Sequence, residues 1–122
     1  MKVKIAEGVF TPGPPHTLRG GFEIFRTNAL RSVVTSDDFF FDGSPAPGFA
    51  LTKGAAFNDA TARRTEIGRL RGSASLDGKS IEVSGSQTMF IPPSLNLETV
   101  DTLILWCFKV PFLLCSGAIR RI

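Results

Sequence analysis

Short β-branched or aromatic runs, each cut off by Gly, Pro, Asn or Asp, recur from one end of this 122-residue chain to the other. That punctuation predicts an all-β fold, because every run has strand length and none holds a helical period long enough to stand as a helix. Val3–Phe10 opens the series, with Gly8 expected at a bulge. Thr11-Pro-Gly-Pro-Pro15 reads as a rigid turn. Leu18–Phe25 alternates weakly, and Thr27-Asn28 reads as a hairpin turn into Ala29–Thr35. Asp37–Phe41 follows, then the turn cluster Asp42-Gly43-Ser44-Pro45-Ala46-Pro47 and the strand Phe49–Thr52.

From Gly54 to Thr65 the sequence is small and polar with no period, which predicts a surface loop. Ile67–Leu70 and Lys79–Val83 flank Asp77-Gly78, the strongest hairpin signal in the chain. Thr88–Ile91 ends at Pro92-Pro93, which cannot continue a central strand. Asn96-Leu-Glu-Thr has the makings of one helical turn before Thr102–Phe108 and Phe112–Ile119 complete the sheet. The expectation is a single domain over residues 1–122, an antiparallel β-sandwich or flattened barrel of roughly nine to ten strands.

Composition supports one compact core. The chain is 43% hydrophobic, and its eleven phenylalanines come with no tyrosine, so the aromatics are packing material before they are surface anchors. The net charge of +3 is carried largely by nine arginines, scattered apart from Arg63-Arg64, Arg69/Arg71 and Arg120-Arg121. With no basic stripe interleaved with aromatics, nucleic-acid binding is not expected. Leu103 to Leu114 is the longest apolar stretch; Lys109 and Pro111 break it, and it falls short of the roughly 20 residues that span a bilayer. The opening Met-Lys-Val-Lys-Ile-Ala-Glu-Gly has no apolar core of a signal peptide. The chain reads as cytoplasmic as it stands, or as secreted if a signal has been removed.

Candidate chemistry begins at Trp106-Cys107, a thiol beside the sole tryptophan in the most hydrophobic run. Thiols react as thiolates, and apolar burial raises their pKa, so the same run that singles out Cys107 also fits an inert core residue. Were Cys107 and Cys115 on one extended strand, they would stand about 25 Å apart, far beyond the roughly 6 Å between Cα atoms that a disulfide needs. A hairpin centred near Pro111 would make them cross-strand neighbours. His16 is the only histidine; a closed metal site would require it to converge with Cys107, Cys115 and a carboxylate, and no spacing announces one. Haem held by the Cys107 thiolate is chemically open, with no sequence mark of a pocket.

Asp37, Asp38 and Asp42 surround three phenylalanines. A desolvating wall can split carboxylate pKa values for acid–base work, while Asp42-Gly43 is equally an ordinary turn pair. Asp38, Asp42 and His16 would also serve as polar fixtures of a Phe-lined pocket for an apolar small molecule, with or without catalysis. An interaction domain without chemistry is the remaining alternative. A weakly charged edge such as Phe112–Ile119 would suit a partner subunit, and so a homo-oligomer. Nothing in the sequence matches a nucleophile elbow, a P-loop or a dinucleotide fingerprint.

Taken in order, Asp38-Phe-Phe-Phe-Asp-Gly-Ser-Pro-Ala-Pro-Gly-Phe49, Ile67-Gly68-Arg69-Leu70, Ile91-Pro92, Val100-Asp101-Thr102 and Leu105-Trp106-Cys107 resemble the DM13 domain family, as do His16 and Gly20 before a strand. The resemblance covers nearly the whole chain. It implies a β-sandwich, often extracellular and often beside electron-transfer domains, in which the cysteine takes a redox or cofactor-binding role with Trp106 and His16 nearby. This chain carries no adjoining DOMON-type or cytochrome domain, so an electron partner would be a separate molecule. Pro111 and Cys115 also stand where the family usually has an aromatic followed by a glycine.

Overall fold

In the computed structural model, residues 1–12, 17–43, 47–53, 64–70, 82–107 and 112–122 are described; at Pro12, Arg64, Cys107 and residues 112–115 the description is of the backbone. The strands are β1 (Lys2–Val9), β2 (Thr11–Pro12), β3 (Leu18–Arg19), β4 (Gly21–Thr27), β5 (Leu30–Thr35), β6 (Phe40–Phe41), β7 (Pro47–Thr52), β8 (Arg64–Arg69), β9 (Val83–Ser84), β10 (Thr88–Phe90), β11 (Thr102–Cys107), β12 (Phe112–Ala118) and β13 (Arg120–Arg121). They build two five-stranded antiparallel sheets, β10-β5-β4-β1-β13 and β2-β12-β11-β7-β8, with a small third sheet β3-β6-β9. The all-β sandwich expected from the punctuation is the fold. Thirteen strands rather than nine or ten are described because five are two-residue pieces, too short to leave a pattern in sequence.

Alternation sets the inner face. Along β4, Phe22 and Ile24 are buried while Gly21, Glu23 and Phe25 are less so, and Ala6 of β1 pairs with Ile24 on that face. The second sheet contributes Phe49, Leu51, Leu103 and Leu105 to the same core. At its centre the rings of Phe22, Phe39 and Phe49 each lie 5.3–5.8 Å from that of Phe10. Each such side chain contributes about 1.5–3 kcal/mol by leaving water, so these phenylalanines hold the two sheets together.

Local chemistry explains several chain reversals. Asn28 takes φ of 55° in the β4–β5 hairpin, a conformation its short polar side chain tolerates. Gly20 separates β3 from β4 at φ of 108°, where a Cβ would stand 2.6 Å from the Ser36 hydroxyl oxygen. Asn96 caps a single 3₁₀ turn over Leu97–Thr99, its side chain accepting from the Glu98 N–H. Two arginines tie this connection to the first sheet. Arg31 donates to the carbonyls of Pro92 and Leu95, and Arg121 donates to those of Leu97 and Val100.

Four expectations need correction. The bulge in β1 falls between Lys4 and Ala6, not at Gly8; Gly8 instead lies where the Ala118 carbonyl and the Phe22 ring press on the strand. Thr11 and Pro12 do not turn at once but pair with Ser116 and Cys115. That pairing leaves β12 between β11 and β2, so Phe112–Ile119 is not an edge. The polar run Gly54–Thr65 already enters β8 at Arg64, and residues 54–63 lie outside the described residues, as does Asp77-Gly78.

Candidate functional site

β11 is hydrogen-bonded on both sides, to β7 and β12. From Thr102 to Trp106 every residue is buried. Leu103 and Leu105 belong to the inter-sheet core, whereas Thr102, Ile104 and Trp106 occupy the alternate positions and are buried without joining that cluster. A strand covered on both faces reads as one unbroken apolar run, which is why this segment stood out.

Its start is fastened by Asp101 and Thr102. Asp101 N–H donates to Thr52 O at 3.0 Å, its carbonyl accepts from Ile119 N–H at 2.8 Å, and the Thr102 hydroxyl donates to Asp101 Oδ1 at 2.9 Å. Its far end carries Trp106, 1% exposed, and then Cys107 on the last rung. Trp106 stands opposite Gly48 on one side and Leu113 on the other; Cys107 stands opposite Pro47 and Phe112. Gly48 in turn faces Arg69 of β8, Phe49 faces Gly68, and the Leu70 N–H donates to Pro47 O at 2.9 Å. Three segments far apart in sequence, Pro47-Gly48-Phe49, Gly68-Arg69-Leu70 and Trp106-Cys107, therefore occupy adjacent rungs at one end of one sheet.

The two cysteines do not face each other. The β11–β12 hairpin forms, but its register sets Cys115 against Leu105 and Cys107 against Phe112, with a bulge between Leu105 and Trp106. The cross-strand neighbours anticipated for a hairpin centred on Pro111 are thus displaced by two rungs on β11.

The carboxylates have structural employment. Asp38 Oδ1 accepts from the Ser36 hydroxyl at 2.5 Å, and Ser36 Oγ in turn accepts from the Gly21 N–H at 3.0 Å. Asp42 Oδ2 accepts from the Thr17 N–H at 2.9 Å, while the Asp42 N–H donates to Thr17 O. Asp38 thus fastens the local turn at Ser36, in keeping with the turn chemistry of aspartate, whereas Asp42 joins the ends of the paired strands β3 and β6. Neither is among the rung partners of Cys107. His16 lies outside the described residues. Among the described residues no three His, Cys, Asp or Glu side chains gather as metal ligands.

A feature with no signal in the sequence is an open groove of about 570 Å³ where β1 and β4 meet the end of β12, lined by Glu7, Glu23, Ser36, Arg120 and the edge of Phe22 among others. Register alone creates it. Glu7 and Glu23 fall directly opposite each other, an arrangement that repels. Lys4 Nζ relieves it by reaching Glu7 at 2.9 Å and Glu23 at 3.1 Å, with Arg120 pairing Glu7 from β13. Its charged groups neutralise one another, its lining includes Phe22 and Val9, and neither Asp38 nor Asp42 is among the lining residues.

No helix among the described residues is long and apolar enough to cross a membrane. No family model, curated protein or solved structure matches this chain.

Proposed function

We propose that this chain is a DM13-like β-sandwich whose chemistry centres on Cys107, acting as a redox thiol or as the ligand of a prosthetic group. The observation that carries the reading is convergence. Parts of three of the segments through which the sequence resembles that family, Pro47-Gly48-Phe49, Gly68-Arg69-Leu70 and Trp106-Cys107, come to neighbouring rungs at the end of the sheet where Cys107 lies, while Asp101-Thr102 stands at the opposite end of β11. A cysteine on the last rung of a doubly paired strand has a fixed backbone, as a reactive group requires. Pro47 and Phe112 flank it from both sides.

No set of side chains for a closed metal site accompanies it among the described residues, so a metal or haem would depend on the thiolate as its principal ligand from this chain. In the redox role, a peroxide supplies the oxidant: the Cys107 thiolate attacks the O–O bond, takes one oxygen as sulfenate and releases water. Treatment of the Cys115→Ser chain with hydrogen peroxide, trapping with dimedone and peptide mass spectrometry tests this directly. Trapping at Cys107 in the native chain is expected, or, for the ligand role, a visible absorption band of the purified chain that Cys107→Ser abolishes. A colourless chain whose Cys107 is trapped only after denaturation would leave the residue a packing thiol.

A further inference from the structure

The strand β10 is the last of its sheet, beyond β5. Its hydrogen bonds are one-sided. Thr35 N–H donates to Gln87 O at 2.8 Å, Ile91 N–H donates to Arg31 O at 2.9 Å, and Met89 lies between them opposite Val33. In an antiparallel ladder alternate residues turn their backbone groups toward the partner. Positions 87, 89 and 91 face β5, so the N–H and C=O of Thr88 and Phe90 face outward. The described residues give those four groups no partner. Thr88 is exposed, and Phe90, at 65% exposure, is among the most exposed large apolar side chains of the fold.

We propose that this edge is a pairing surface for a second copy of the chain, joined β10 to β10 in antiparallel register about a twofold axis at Met89. In that register Thr88 of one copy stands opposite Phe90 of the other. Both positions turn outward, so each of the two pairs exchanges two hydrogen bonds, and all eight outward groups of the dimer are satisfied by four bonds. Other centres do worse. Centring on Phe90 would oppose Thr88 to Pro92, which has no N–H, and centring on Thr88 would oppose Phe90 to Ser86, outside the strand.

The surface chemistry also suits self-association. Thr88, Met89 and Phe90 and their ladder partners Ser32, Val33 and Val34 carry no charge, so the paired strands themselves bring no like charges together. Sheets that must stay apart place lysine or inward-pointing charge on such edges. Here Pro92-Pro93 only limit the strand to three residues. The contact is isologous and closes on itself, giving a dimer rather than a filament.

Sedimentation equilibrium of the full chain, from micromolar to sub-millimolar concentration, tests the proposal. The mass should rise toward twice the 13.2 kDa of the chain. Phe90→Lys should abolish that rise, and Thr88→Pro, which removes an outward N–H and leaves the β5 bonds intact, should weaken association at least about tenfold. Circular dichroism reports whether each variant is folded; should Thr88→Pro unfold, Phe90→Lys decides, its side chain being exposed. A chain that stays monomeric throughout, or a dimer that survives in a folded Phe90→Lys variant, would overturn the proposal.

Discussion

Gly8→Ala sets two effects of opposite sign against each other. Gly8 does not adopt a left-handed φ, so alanine there restricts the unfolded chain and should by itself stabilise by about 0.4–1 kcal/mol. The new Cβ, however, would meet Ala118 O at 2.4 Å and the Cζ and Cε1 atoms of Phe22 at 2.5 and 2.6 Å. Phe22 has little room to withdraw. Its ring is 5.3 Å from that of Phe10, and a Cβ at Gly117 would stand only 2.8 Å from Cε1. Overpacking of this kind costs about 1–3 kcal/mol, and the net expectation is a loss of about 1–2 kcal/mol. Urea denaturation with a two-state fit measures it. Phe22→Leu in the Gly8→Ala background should recover part of the loss in a double-mutant cycle, though not all, because the Ala118 carbonyl remains. If Gly8→Ala alone is as stable as the parent chain or more so, the β1–β12 crossing is looser than the structure shows and the reasoning fails.

Removing the Thr35 hydroxyl by Thr35→Val takes away the acceptor of the buried Gln87 N–H, at 2.6 Å, and should cost about 1–3 kcal/mol in the same assay. Arg121→Met frees the Val100 carbonyl and leaves that of Leu97 with the Val100 N–H alone; amide exchange at Thr99 and Val100 should quicken before global unfolding, with about 1–2 kcal/mol lost overall. Lys4→Ala removes a cation shared by two opposed glutamates, yet its exposure should hold the effect below about 1 kcal/mol, shrinking further in concentrated salt. Asp42→Ala should lower stability through the lost, exposed hydrogen bond from the Thr17 N–H by at most about 1 kcal/mol and leave the labelling rate of Cys107 unchanged.

What the sequence disclosed was local. Asn28 could be read as a turn because few residues accept a positive φ, and Asn96 because its side chain caps a following N–H; both signals lie within four residues of their effect. The doubly buried β11 was legible as an apolar run. The β1 bulge was not, since it falls at Lys4–Ala6 with no glycine to mark it. Sheet order was hidden as well: whether Phe112–Ala118 is an edge depends on Thr11 and Pro12, about a hundred residues away. Of the candidate site, Cys107 and Trp106 were visible in the sequence, and their convergence with Gly48 and Arg69 was a matter of strand pairing alone. The Glu7–Glu23 opposition and the groove beside it likewise arise from register between two strands whose separate patterns look ordinary.

The proposed function requires Cys107 to be a working thiol. In the Cys115→Ser chain, an aromatic disulfide reagent should be attacked by the Cys107 thiolate, forming a mixed disulfide and releasing a coloured thiolate whose rate of appearance reports both access and ionisation. A native rate at neutral pH within about tenfold of that in denaturant is the predicted result. Protection of Cys107 until the chain unfolds would contradict the central claim.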